Sequence, residues 1–138
     1  MITSTRIGRY GNTCNAMFQF AAVVGMSKKV GHEYCIPHNK TYYEPNYGCN
    51  NTSIWDGFDL DVPELDLGIL KFKELEFPFE YTDIRVDDFT DMKGFFQSEK
   101  YFENADDEVK AQFKIKDEFK EQIDKKIEAG VYPDPRRC

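Results

Sequence analysis

Gly8-Arg9-Tyr10-Gly11-Asn12 sets two glycines around an arginine and a tyrosine, with an asparagine next and the run Met17-Phe18-Gln19-Phe20-Ala21-Ala22 close behind. A glycine turn between a strand and a helix exposes backbone N–H groups and a helix N-terminus, which favour an anion such as a phosphate or a developing oxyanion. On that reading Arg9 supplies charge and Asn12 a hydrogen-bond donor; on the plainer one the segment is a helix-starting turn and nothing more. It is neither G-x-G-x-x-G nor G-x-x-x-x-G-K-[ST], so it satisfies no nucleotide fingerprint. A second segment, Gly94-Phe95-Phe96-Gln97-Ser98-Glu99-Lys100-Tyr101-Phe102, wraps aromatic residues around a polar centre. Gln97 to Lys100 follow a predicted strand, and ligands of open α/β sheets collect at such carboxyl ends. The competing reading is a capped helix start with core aromatics on both sides.

Other constellations carry less. His32, Cys35, His38 and Cys49 are zinc-ligand types, but an extended 33–36 segment holds His32 and His38 roughly 20 Å apart, so no metal site is expected. Asp59-Leu60-Asp61 spells the D-x-D used by some sugar transferases to hold a metal; with 25 acidic residues in the chain and no apolar strand before it, it reads as solvated loop. No Ser-His-Asp or Cys-His set accompanies either loop, so hydrolysis through a covalent intermediate is not supported. Cys14, Cys35, Cys49 and Cys138 are too scattered for a paired framework, and no obligatory disulfide is expected.

The elements that must position these residues form a βαβ opening. Met1 to Ile7 reads as a short strand. From about Asn15 to Val30 the apolar residues Met17, Phe20, Ala21 and Val24 recur at helical spacing, with Thr13 or Asn12 as cap, Lys28 and Lys29 at the end of the dipole and Gly31 as the stop. Glu33 to Ile36 is a second strand, and a right-handed parallel crossover joins it to the first. Residues 39–68 read as a long irregular loop anchored by Ile54-Trp55. Lys71 to Phe77 alternates as a half-exposed strand; Phe89 and Met92 to Phe96 suggest another. Asn104 is placed to cap a helix through about Phe113, and Lys116 to Ala129, with Phe119, Ile123 and Ile127 four apart, forms the last helix. The fold class is α/β, a mainly parallel sheet flanked by helices.

The whole chain, 1–138, fits one domain, 41% of it apolar. A formal charge of -7 argues against a phosphate-tracking surface, so nucleic acid is not an expected partner. No apolar run is long enough to span a membrane and no export signal opens the chain, so a soluble, cytoplasmic protein is expected. The N-x-S/T sites at Asn39, Asn50 and Asn51 are then incidental.

At its two marked loops the sequence resembles the alpha-1,2-fucosyltransferases, glycosyltransferase family 11. That family opens with a pattern close to G-R-L-G-N-Q-M-F-Q-Y-A-A, here GRYGNTCNAMFQFAA, and later carries Y-F-Q-S-E-K-Y-F, here FFQSEKYF. The likeness covers most of residues 5 to 120. Thr13-Cys14-Asn15-Ala16 stands where the family has one glutamine, and the family's later H-x-R-R-G-D motif has no counterpart in this chain. The resemblance implies a Rossmann-like lobe, the N-terminal half of a two-lobed GT-B-like enzyme that moves fucose from GDP-fucose to a galactoside hydroxyl with inversion and without a bound metal or other cofactor. Gly8, Arg9, Gly11 and Asn12 match the first loop, and Gln97, Ser98 and Glu99 the second. Arg9 would face the donor phosphates or the fucose, Asn12 would bond a ligand hydroxyl, and Glu99 would orient or deprotonate the acceptor. The expectation is a truncated member, inactive alone, whose second lobe could come from a partner chain. The alternative is a non-catalytic glycan- or nucleotide-binding module.

Overall fold

The computed structural model describes residues 1–8, 13–37, 54–65 and 71–130. Its centre is strand β5 (Thr90–Lys93), which pairs in parallel with β1 (Ile2–Thr3) on one side and β4 (Lys73–Glu76) on the other. A second parallel pair joins β2 (Ile36–Pro37) to β3 (Glu64–Leu65). The three-stranded and two-stranded sheets meet edge to edge: a parallel bridge links Ile2 and Tyr34, Ile2 N donates to Glu33 O at 2.7 Å, and Cys35 N donates to Ile2 O at 3.0 Å. The resulting order is β3-β2-β1-β5-β4, with every pairing parallel. The protein is α/β, and the parallel βαβ opening is present.

The strands are shorter than the alternation predicts. Met1 to Ile7 contracts to two residues because the chain turns at once, with Ile7 N donating to Ser4 O. Glu33 to Ile36 shifts to Ile36–Pro37, and Met92 to Phe96 becomes Thr90–Lys93. Within the expected long loop, residues 39–53 and 66–68 lie outside the described residues, but 54–65 are ordered by pairing. Ile54 is buried in the core at the start of a short helix, α2 (Ile54–Gly57), and β3 follows. Asp59 N donates to Lys114 O and Asp61 N to Gln112 Oε1, so the D-x-D backbone is pinned to the chain rather than free in solvent. Two residues of β3 carry no periodicity to read; only their partner strand defines them.

Helix α1 (Thr13–Val30) starts two residues earlier than its apolar spacing suggests. It is buried on more than one face: Gln19 through Ser27 are all buried. One side packs on the sheet, the other beneath two 3-10 turns, Glu99–Tyr101 and Glu103–Ala105, and helix α3 (Asp106–Gln112). Gly25 makes this layering possible. A Cβ there would fall 2.2 Å from Tyr101 O and 2.5 Å from Phe102 Cα, both backbone atoms that cannot swing aside. Asn104 does not cap α3 as expected; its Nδ2 donates to Gly25 O at 3.1 Å, while Ala105 occupies the cap position and Asp106, Asp107 and Glu108 line the first turn, where the helix dipole favours acids. The last helix, α4 (Asp117–Glu128), buries no residue.

Gly25→Ala is expected to destabilise the protein by about 2 kcal/mol, the overpacking cost exceeding the gain in helix propensity. Urea denaturation checks this, and a variant as stable as the parent would mean that the 3-10 turns do not rest on α1.

Candidate functional site

In a parallel sheet whose connections leave in opposite directions from two neighbouring strands, the loops beyond their carboxyl ends part and leave a crevice. Here β1 leads through α1 to β2, and the chain leaving β5 also turns onto α1, through the two 3-10 turns, so the two connections leave toward the same side. The exits of β1 and β5 nonetheless lie side by side at one edge of the sheet. The exit of β1 is Ser4 to Gly8, leading into the glycine loop. The exit of β5 is Gly94 to Ser98, and the N-terminus of α1 stands beside both. Gly8, the described residue of the first marked segment, and Gly94 to Ser98 of the second thus leave the sheet from neighbouring strands.

Asn15 and Gln19, one turn apart on α1, hold the β5 exit. Gln97 Nε2 donates to Asn15 Oδ1 at 2.7 Å, and the buried Gln19 donates from Nε2 to Gly94 O at 3.3 Å. The Asn15 contact comes from the Thr13–Ala16 stretch, which forms the first turn of α1 and reaches the second marked segment. Among the described residues, Gln19 Oε1 and Ser4 Oγ are buried without a hydrogen-bond partner. Buried polar atoms are seldom left so, and these two lie on the elements that frame this edge.

The exit of β5 is strained as well as held. Phe96 has φ of 54°, a left-handed backbone that a bulky residue adopts only when its surroundings enforce it. Its ring is locked between Phe77 at 4.9 Å and Tyr101 at 5.1 Å, both nearly edge-on. Ser98 is extended and its Oγ accepts from Lys100 N at 3.4 Å, capping the 3-10 turn that begins at Glu99. The capped-start reading of this segment is thus correct at Ser98. Gln97 and Glu99 are exposed at the edge.

The β1 exit is fastened by a residue that pattern reading passed over. Asp91, on β5, accepts from Thr5 N at 2.9 Å through Oδ1 and from Thr5 Oγ1 at 2.8 Å through Oδ2. This clamp fixes the turn that delivers Gly8, whose φ of 80° favours glycine. Arg9, Gly11 and Asn12 lie outside the described residues. Burial pushes the Asp91 carboxyl above the usual aspartate range, against the lowering effect of the two Thr5 bonds and Lys93, with Glu74 adding a smaller rise. Around it, Arg6 pairs with Glu76 at 2.8 Å and Lys93 with Glu74 at 2.6 Å. The sequence signal for Asp91 was a carboxylate in the middle of a strand otherwise buried; for Gln19, a lone amide in an apolar helical run.

No group of three or more His, Cys, Asp or Glu side chains stands ready for a metal among the described residues. His38 and Cys49 lie outside them. Cys14 is an exposed thiol, and Cys35 a buried one whose pKa is raised by desolvation. An apolar groove of about 300 Å³ between Phe18, Ala21, Phe102 and Phe113 lies on the other side of α1, and it offers a sugar few polar partners. No helix among the described residues is long and apolar enough to cross a membrane. Comparison with known protein families, characterised proteins and solved structures finds no match to this chain.

The raised Asp91 value has a definite sign. The folded protein holds this proton more tightly than the unfolded chain does, so the carboxyl's contribution to stability is full below the ordinary aspartate range and is lost as pH rises through the elevated value. Asp91→Asn, which cannot ionise, is expected to show a urea midpoint that falls less than the parent's as pH rises from about 4. Parallel midpoint curves for the two proteins would show that Asp91 is not desolvated in the fold.

Proposed function

We propose that this chain is the Rossmann-like, sugar-nucleotide-facing lobe of a fucosyltransferase-like protein, binding GDP-fucose at the edge where β1 and β5 end. One observation carries the reading: Gln19, in the MFQFAA run of the first segment, donates to Gly94 O at the head of the second, and Gln97 bonds to Asn15 in the stretch between. Segments 82 residues apart need not touch in order for the chain to fold. Contact at the carboxyl edge of a parallel sheet is what a shared ligand would require.

In this reading Arg9 serves the donor diphosphate and offsets negative charge on the leaving group. Gln97 and Ser98 border the sugar, and Glu99 is the acceptor-side carboxylate. Asp91 and Gln19 are positioning residues that set the two loops before a ligand arrives, which lowers the ordering cost of binding.

A second reading, a non-catalytic glycan- or nucleotide-binding module, is favoured by Glu99 itself. Its side chain is exposed and has no hydrogen-bond partner among the described residues to aim it at a hydroxyl. A general base is ordinarily held in place by a neighbour.

Isothermal titration with GDP-fucose and with GDP tests the proposal. Saturable binding is expected, weakened at least about tenfold by Arg9→Ala, a loss of about 1.4 kcal/mol. No binding to the parent, or equal binding by the variant, overturns it. Consumption of GDP-fucose on incubation with a galactoside would overturn the binding-module reading.

A further inference from the structure

A second cleft, of about 190 Å³, lies between the connection from β4 to β5, the latter half of α1 and the two 3-10 turns. Its buried lining is Met26 and Tyr101, and Tyr81, which is 37% exposed, meets the Tyr101 ring at 4.8 Å. The hydroxyl of Tyr101 marks it as a binding site. The residue is only 5% exposed, and its oxygen accepts from Thr82 N at 3.0 Å. A phenol also donates, yet among the described residues no acceptor takes its hydrogen. A buried donor left unused is costly, and an oxygen inside the cleft that Tyr101 lines would accept from it. We propose that this cleft binds one neutral sugar residue, away from the edge where β1 and β5 end and independently of the GDP-fucose reading.

The charges around the cleft select a neutral, hydroxyl-rich ligand. Lys29 and Lys100 line it with Asp83 and Glu103, two positive groups against two negative. Lys29 is paired with Asp83, whereas neither Lys100 nor Glu103 makes an ion pair among the described residues. Lys100 Nζ instead stands 5.3 Å from the centre of the Tyr81 ring. An anion here meets Asp83 and Glu103, a cation meets both lysines, and the chain's charge of -7 adds to the repulsion of an anion. A sugar hydroxyl both accepts and donates, so one ring can take hydrogens from Tyr101 and Lys100 and give one to the Glu103 carboxylate. Its carbons have Met26 and the Tyr81 ring as apolar neighbours. A zwitterion matches the charges too, but Lys29 and Asp83 are 46% and 68% exposed, and ion pairs in such contact with water gain little. The space holds one pyranose and not a chain of them. Met26 and Lys29 lie about 10 and 15 Å further along α1 than Gln19, which keeps the cleft apart from the sheet edge.

Nuclear magnetic resonance titration of the full chain with the methyl glycosides of galactose, glucose, mannose and fucose, each to about 100 mM, tests the site. With at least one of them the amide signals of Thr82, Lys100 and Tyr101 are expected to shift saturably, with a Kd of about 1–10 mM, while those of Gly94 and Gln97 stay in place. Tyr101→Phe and Lys100→Ala each weaken that binding at least about fivefold, the worth of one hydrogen bond. Lys100 is exposed on a turn, so its variant keeps the parent's spectrum elsewhere and reads the site even where loss of the bond between Thr82 and Tyr101 disturbs the fold. No saturable shift at these residues with any of the four sugars, binding that survives both substitutions at full strength, or tighter binding of acetate or glycine than of every sugar overturns the proposal.

Discussion

The close approach of α1 to the backbone of Tyr101 and Phe102 is the constraint on which the rest of the molecule depends. Gly25 leaves no room for even a methyl group between them, so the helix and the two 3-10 turns are stacked backbone to side-chain stub. Asn104 bonds to the carbonyl of Gly25 itself and locks the layer from above. With that side settled, the other side of α1 presses Phe20, Val23 and Val24 into the core. The helix therefore has little freedom to slide or rotate, and Asn15 and Gln19 at its front are delivered to the edge of the sheet at fixed heights.

That edge is built from polar contacts rather than from apolar packing. Both loops that leave it are tied by side chains from another element: Thr5 by Asp91, Gly94 and Gln97 by Gln19 and Asn15. The arrangement carries a cost. Asp91 is desolvated, Gln19 and Ser4 keep buried polar atoms without partners among the described residues, and Phe96 is held in a left-handed backbone. Each such feature disfavours the fold in isolation. The edge does not hold all of them, since Phe89, just ahead of β5, also has a left-handed backbone with φ of 55°.

The two ends of the chain were legible to different degrees. The helix from Thr13 to Val30 and its stop at Gly31 were readable from spacing and end signals, since both are local. So was α4, whose four-residue apolar interval shows plainly because nothing else in the fold interrupts it. The strands were legible as regions but not in extent: Met1 to Ile7 looks extended, yet only Ile2 and Thr3 find a partner before Thr5 is drawn to Asp91. β3 was not legible at all, because a two-residue strand exists only by virtue of the strand beside it. Asn104 looked like a cap because an asparagine before a helix often is one; a nearby helix carbonyl competed for the same amide and won.

At the site, the residue types were visible and their company was not. Gln97, Ser98 and Glu99 stand out along the chain as polar residues among aromatics, and Gly8 as a glycine where a strand gives way to a helix. Local chemistry determined that much: glycine where the backbone must turn left-handed, serine where a helical turn needs a cap, apolar residues at the period of the helix they form. That Gln97 meets Asn15, that Asp91 holds Thr5, and that Gln19 faces Gly94 was decided only by the tertiary structure. The parallel order of the strands brings together loops separated by most of the chain, and hydrogen bonds between such distant partners leave no periodic trace in the sequence.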